Sequence, residues 1–349
     1  MNGSTKEVAI GHVKIGGVNP VAIQSMTTTD TKDAAATIAQ IHALTEAGCG
    51  LARVAVYDMD CARVIPEIKK GISIPLIADI HFDYRIAIAA IEAGADKIRI
   101  NPGNIGGRDR VLEVVRAALD YGVPIRVGAN SGSVPRDILE NYGNSAQALV
   151  LAAMRNIEIL EEAGFDNIVV SLKSSDVKVC RDAYMQMSKS TAYPLHLGVT
   201  EAGTYLDASI KSAIGIGSLL LAGVGDTIRV SITGDPVREI AVAKKILRFC
   251  GLRQEGVEVI SCPTCARCTL DIESLAEKVS DYTAGVDKPL TIAVMGCAVN
   301  GPGEAREADL GVAGGGGYGL LFAQGRILKK VPEANLLDEL KRLIDEATQ

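Results

Sequence analysis

The chain reads as an α/β protein: a (β/α)8 TIM-type barrel followed by a small α+β domain. Two observations predict this. Short β-branched runs alternate eight times with amphipathic stretches at helical spacing, and the pattern breaks after Cys250. Eight such units in about 250 residues match a (β/α)8 barrel in number and size. A doubly wound open sheet competes, but it carries a Gly-rich turn after its first strand, and none follows Met26. The domains are expected at 1–250 and 251–349.

The strand-like runs are Val21–Met26, Leu51–Tyr57, Pro75–Ile80, Lys97–Pro102, Pro124–Asn130, Asn167–Lys173, Pro194–Glu201 and Asp226–Thr233. Between them lie helical segments such as Asp33–Ala47, Arg108–Tyr121, Ala146–Ala163 and Pro236–Cys250. Gly48, Gly94 and Gly164 stand where helices must end, because glycine accepts the left-handed conformation without a Cβ clash. Residues 8–17 alternate and turn, as a hairpin plugging the barrel floor would. After a polar linker, Gly251–Val257, come a strand (Val257–Ser261), a helix (Ile272–Tyr282) and a strand (Leu290–Met295). A Gly-rich region, a strand pair around Gly319–Ile327 and a terminal helix from Glu333 complete the second domain.

Composition narrows the function. Among 349 residues, 36 basic against 42 acidic side chains give a net charge of −6, with no Trp and 4 Phe. A nucleic-acid binder needs phosphate-neutralising charge and stacking platforms, so a small ligand is expected instead. Ser212–Gly225 is the longest weakly polar stretch, shorter than the roughly 18 residues a membrane span requires. No membrane contact is expected, and the polar Met1–Val8 lacks a secretory core, which points to the cytoplasm. In that reducing compartment eight Cys argue for buried thiols, metal ligation or redox chemistry rather than disulfides.

Barrel strands are buried on both faces, so a charge inside one requires a reason. Arg53, Arg99, Arg126 and Arg229 each sit within such a run, and alternation places Asn101, Asn130, Ser231 and the pair Ser171 and Lys173 on the same inward faces. These faces end at the C-terminal mouth, where barrels of this kind place their active sites. Each Arg could pair with a local acid as a structural ion pair. Four Arg and a Lys in a net-acidic chain fit better with a small polyanion carrying more than one phosphate, since guanidinium forks suit phosphate oxygens. The loops Asn101–Gly107 and Asn130–Ser133, with Ser131, add donors behind two of these strands. His81 and His196 read either as satisfied core residues or as part of the site. Glu201, at the end of the seventh strand, is the general-acid candidate if a closed site disfavours its ionisation. Lys173 allows a rival chemistry, a Schiff base.

Cys262, Cys265 and Cys268 form C-x2-C-x2-C, with Cys297 further on. That spacing is close to iron–sulfur proteins, whereas structural zinc more often shows paired CxxC or added His, and no His follows His196. Cys49, Cys61, Cys180 and Cys250 stand singly on helical segments and read as inert thiols.

At this point the chain resembles a known family, the bacterial 4-hydroxy-3-methylbut-2-enyl diphosphate synthases of the non-mevalonate isoprenoid pathway. The segments that carry the resemblance include Val21–Met26, Ala78–Phe82, Arg99–Asn104, Arg126–Ser133, Val170–Asp176, His196–Gly203 and Asp226–Ser231. Cys262–Cys265 and Met295-Gly-Cys-Ala-Val-Asn-Gly-Pro-Gly-Glu304-Ala continue it through the second domain. The resemblance implies a [4Fe–4S] cluster on Cys262, Cys265, Cys297 and Glu304, where spacing alone would have used Cys268. It implies reductive opening and dehydration of a cyclic diphosphate, with electrons from ferredoxin or flavodoxin and a head-to-tail homodimer. Arg53, Arg99, Asn101, Arg126, Asn130, Ser131, Lys173, His196, Arg229 and Ser231 would hold the substrate, and Glu201 would donate the proton. This chain departs from the family pattern at Ala266 and at the additional Cys268. Two other classes compete: a phosphosugar lyase with a Schiff base at Lys173 and structural zinc, and a metal-binding interaction module on an inactive barrel.

Overall fold

The apolar runs form strands, and eight of them lie parallel. In the computed structural model, which describes residues 5–268, 270–297 and 305–348, two units separate, Met1–Arg253 and Gln254–Gln349. The division falls after Arg253 rather than after Cys250.

The first unit opens with an antiparallel hairpin, β1 (Val8–Ile10) and β2 (Val13–Ile15). The barrel strands follow: β3 (Ala22–Met26), β4 (Leu51–Ala55), β5 (Leu76–Asp79), β6 (Lys97–Arg99), β7 (Ile125–Asn130), β8 (Ile168–Lys173), β9 (His196–Leu197) and β10 (Thr227–Ile228). Neighbours run from β3 to β8 in sequence order, β10 lies between β9 and β3, and a parallel bridge from Val170 to Leu195 closes the circle. Tyr184 reinforces that closure: its buried hydroxyl donates to His196 O at 2.5 Å and accepts from Leu172 N at 3.0 Å. Val8, Ile10 and Ile15 pack with Leu51, Ile77 and Val169, residues near the strand starts. The hairpin therefore covers the N-terminal end and leaves the opposite mouth for the site.

Local chemistry sets the helix boundaries. Asp33, Ser145 and Asp176 cap helices by accepting from Ala36, Ala148 and Val179 N–H, satisfying donors that would otherwise lack partners. Gly48, Gly94 and Gly164 have φ of +100°, +94° and +73° after the helices they end. β9 and β10 are shorter than the runs predicted for them. The ladder stops where Gly198 approaches Arg229 O so closely that a Cβ there would lie 2.9 Å away.

The second unit holds a five-stranded sheet: β11 (Val257–Ser261), β12 (Leu290–Met295), β13 (Leu310–Gly315), β14 (Tyr318–Ala323) and β15 (Arg326–Pro332), in that order. β11, β12 and β13 are parallel, and β13 to β15 are antiparallel. The helices Ile272–Tyr282 and Leu336–Thr348 pack on it. The Gly-rich region contains a central strand, β13, that composition concealed. Its glycines are needed because Phe322 occupies the place of a Cβ on Gly311, and Leu270 that of one on Gly314.

Candidate functional site

Strand alternation turns Arg53, Arg99, Arg126 and Lys173 into the barrel, and Arg229 follows β10 directly while its N–H still donates to Leu197 O at 2.9 Å. Register sets Asp79 beside Arg99 and Arg99 beside Arg126 on adjacent strands, and Asn130 beside Lys173. Gly128, between Arg126 and Asn130, lies so close to the Ser171 carbonyl that no side chain fits there.

The partners of these cations differ. Arg99 Nη1 reaches Asp79 Oδ1 at 3.4 Å and His81 Nε2 at 3.1 Å, while His81 Nε2 also lies 3.2 Å from Asp79 Oδ2. Arg229 Nη2 and Nε lie 3.4 and 3.5 Å from the Glu239 carboxylate. Arg53 turns Nε and Nη2 onto the Met26 sulfur at 3.1 and 2.9 Å. Arg126 is 1% exposed, and its Nε and Nη1 have no hydrogen-bond partner. The local ion-pair reading thus describes Arg99 and Arg229, and it does not account for the two unpartnered nitrogens of Arg126.

The charges act on one another. Burial pushes the Lys173 ammonium well below ordinary lysine basicity, and Arg126, Arg53, Arg229 and Arg99 push it the same way. Four guanidinium groups therefore converge on one ammonium. Burial brings the Arg53 guanidinium down to about 10 against the pull of Asp79, so it remains charged at neutral pH. Burial alone would raise the Asp79 carboxyl, but Arg53, the His81 hydrogen bond, Arg99 and Arg126 outweigh it and hold the group far below the usual carboxylate range. Five basic side chains thus face Asp79 and Glu239, which leaves a positive surplus suited to a multiply charged anion.

The remaining expected residues occupy different positions. Asn101 is buried, and its Oδ1 accepts from Gly103 N at 3.2 Å, shaping the loop after β6. Asn130 N donates to Ser133 Oγ at 3.3 Å, which folds the short 3-10 turn Ser131–Ser133. Ser131 and Ser231 are half-buried. His196 is fully buried, with Nδ1 2.8 Å from Thr227 Oγ1. Glu201 is exposed, so nothing in this unit withdraws its carboxyl from water; its φ of +52° is a conformation that costs a non-glycine residue on the order of 1–3 kcal/mol. Asp79, Met26 and Glu239 join the site although the sequence pattern does not single them out. Asp79, last in an apolar strand, carried a signal; Glu239 lies in a helix that only the fold brings under Arg229.

The family model described as the GcpE TIM-barrel domain matches residues 5–244, and that of the GcpE protein C-terminal domain matches residues 258–346. The chain belongs to the GcpE family. A relative from Geobacillus thermodenitrificans is 54% identical over 346 residues, covering 99% of this chain and 92% of its own length. Another, from Caldanaerobacter subterraneus subsp. tengcongensis, is 55% identical over 343 residues, covering 98% and 97%. Both are named 4-hydroxy-3-methylbut-2-en-1-yl diphosphate synthase (flavodoxin). Among solved structures, the N-acetylneuraminic acid synthetase of Leptospira borgpetersenii matches with a TM-score of 0.50 at 12% identity, covering 79% of this chain and 97% of its own. That likeness concerns the fold alone.

The GcpE C-terminal unit brings its cysteines together through parallel pairing. Ser261 on β11 lies beside Val294 on β12, so Cys262 and Cys297 both follow neighbouring strand ends. Gly296 N donates to Cys262 Sγ at 3.2 Å. A Cβ on Gly296 would lie 2.5 Å from Cys268 Sγ and 3.2 Å from Cys262 Sγ, so both thiols crowd that residue. Cys265 is exposed, and hydrogen bonds from Arg267 hold its thiol below the ordinary value. Glu304 lies outside the described residues. Among the described residues no three His, Cys, Asp or Glu side chains are gathered tightly enough for one metal ion. A sulfur-rich donor set drawn from two adjacent strand ends, one thiol already accepting a backbone hydrogen bond, fits an iron–sulfur cluster. No helix among the described residues is long and apolar enough to cross a membrane.

Proposed function

We propose that this chain catalyses the reductive ring opening and dehydration of 2-C-methyl-D-erythritol 2,4-cyclodiphosphate to 4-hydroxy-3-methylbut-2-enyl diphosphate, supplying isoprenoid precursors in the cytoplasm. The observation that carries this reading is the convergence of Arg53, Arg99, Arg126 and Arg229 on Lys173 inside a GcpE barrel. Two electrons enter, the ring C–O bond to phosphate breaks, and its electron pair goes to the phosphate oxygen. A hydroxyl takes a proton and leaves as water, and the carbon–carbon double bond forms. The guanidinium groups stabilise the negative charge that develops on the released phosphate. Asn101, Asn130, Ser131, His196 and Ser231 complete the binding set, and Glu201 supplies the proton at the mouth.

Cys262, Cys265, Cys297 and Glu304 would hold a [4Fe–4S] cluster. When bound, it supplies single-electron transfers and, through its oxygen-ligated iron, an exchangeable position for a substrate oxygen. Flavodoxin or ferredoxin delivers the electrons, and the working unit is a head-to-tail homodimer. The test is turnover of the cyclic diphosphate by anaerobically purified protein with reduced flavodoxin, alongside iron and acid-labile sulfide analysis. Linear diphosphate with about four iron and four sulfide per chain supports the reading. Zinc without sulfide, and no turnover, overturns it.

A further inference from the structure

Cys268 has no part in the cluster assignment above, yet its sulfur shares a floor with one of the proposed ligands. Cys262 leaves the end of β11, and the loop reverses through Thr264, whose φ of +55° is uncommon for a non-glycine residue. Cys268 N then donates to Cys265 O at 2.8 Å, which turns the chain back towards β12. Both sulfurs come to rest over Gly296, just past the end of β12. A Cβ on Gly296 would stand 2.5 Å from Cys268 Sγ and 3.2 Å from Cys262 Sγ. The two sulfurs are therefore separated by no more than those two distances together.

Neither residue lies within a strand or helix, so rotamer changes at both, with the loop following, can close that gap. Cys262 Sγ is held by Gly296 N at 3.2 Å and Cys268 Sγ by Leu270 O at 3.2 Å, single hydrogen bonds that a rotation exchanges easily. Both thiols are half-buried, whereas Cys265 is exposed.

We propose that Cys268 is the resolving cysteine of Cys262, forming an intrachain disulfide with it when a peroxide meets the cluster-free chain. The Cys262 sulfur attacks the O–O bond, loses two electrons and becomes sulfenic acid, and one peroxide oxygen leaves as water with the thiol proton. The Cys268 sulfur then attacks the sulfenic sulfur. The S–S bond forms, the S–OH bond breaks, and a second water leaves with the Cys268 proton. A dithiol restores both thiols by exchange. Without a neighbouring thiol the sulfenic acid goes on to sulfinic acid, which a dithiol does not reverse. The bond stands on the geometry alone; its value, keeping Cys262 able to take up iron again, rests on the cluster reading above.

The test uses the full chain, purified anaerobically and then stripped of iron by a chelator. Hydrogen peroxide is the oxidant, iodoacetamide blocks the remaining thiols, and trypsin cuts after Arg267, between Cys265 and Cys268. Peptides Gln254–Arg267 and Cys268–Lys278 should emerge joined, with the bond on Cys262 and the alkyl group on Cys265. A bond on Cys265 or Cys297, or alkylation of both Cys262 and Cys268, overturns the proposal. The protective value is read from iron. After peroxide and then dithiothreitol, the parent should reload its iron on anaerobic reconstitution. Cys268→Ala, loading equally before peroxide, should reload less than half as much and carry sulfinic acid on Cys262. Equal recovery overturns the protective role. A parent that takes up no iron even before peroxide counts against the cluster reading instead, and the peptide map still decides the bond. It decides equally should Cys268→Ala fail to fold.

Discussion

Arg229 is tethered to Glu239, its Nη2 3.4 Å from Oε1. The same carboxylate accepts from Ser25 Oγ at 2.7 Å and Ile232 N at 3.1 Å. One buried acid thereby ties β3, the loop after β10 and the helix Val237–Phe249 to a cation of the site. Removing one member of a buried pair leaves the other uncompensated, at a cost of roughly 3–5 kcal/mol. Glu239→Gln keeps the shape and loses the charge, so we expect a Tm lower by several degrees and a tighter hold on the diphosphate. A diphosphate ligand should recover more of the Tm in the variant than in the parent, because it supplies the charge Arg229 has lost. Equal ligand-induced shifts would count against this positioning role.

Arg126→Met should separate stability from function. The substitution removes a buried cation with two unpartnered nitrogens, so thermal stability should hold or rise. Diphosphate affinity should fall about 10- to 100-fold, the loss expected from charge-assisted hydrogen bonds worth 1.5–3 kcal/mol. Calorimetric binding and a melting curve on the same preparation check both halves. A stable variant with unchanged affinity would remove Arg126 from the substrate site.

The barrel and the facing of its cations were legible because a charge inside an apolar, period-two run has few physical explanations. Asp79 stands in such a run too, but nothing local shows that Arg53 and Arg99 will surround it. Glu239 was hidden because its role is long-range: Ser25 and Glu239 are 214 residues apart in the chain. β13 was concealed because glycine density marks turns in most sequences, while here it lets Phe322 and Leu270 approach the backbone. His196 was legible as buried or functional but not as both, and its burial beside Lys97 and Arg126 is a property of barrel closure.

Lys173 should make binding pH-linked. Its folded-state basicity lies well below the ordinary lysine value, first through burial and then through the four Arg. Unfolded chains therefore bind more protons at this position between the two values, and stability should rise with pH across that window. A bound diphosphate reverses the local field and favours the ammonium, so binding at a pH above the folded value should take up protons. Calorimetry in two buffers of different ionisation enthalpy measures that uptake. Lys173→Met should lose it, and unchanged uptake in the variant would assign the proton elsewhere.

Gly296 sets the spacing of the thiols. A methyl group there would stand 2.5 Å from Cys268 Sγ, 3.2 Å from Cys268 Cβ and 3.2 Å from Cys262 Sγ, and only sulfur displacement can relieve the closest of these contacts. Cys262 is a proposed ligand and Cys268 is not, so the two should respond differently. Cys268→Ala should keep about four iron per chain after anaerobic reconstitution. Gly296→Ala should lose more than half of that iron, because Cys262 is pushed from the position in which Gly296 N now bonds it. Adding Cys268→Ala to Gly296→Ala removes the nearest obstructing atom and should restore part of the iron. Iron and sulfide analysis of the three variants, with their visible spectra, tests the assignment. Loss of iron in Cys268→Ala alone would make Cys268 a ligand and displace Glu304 from that role.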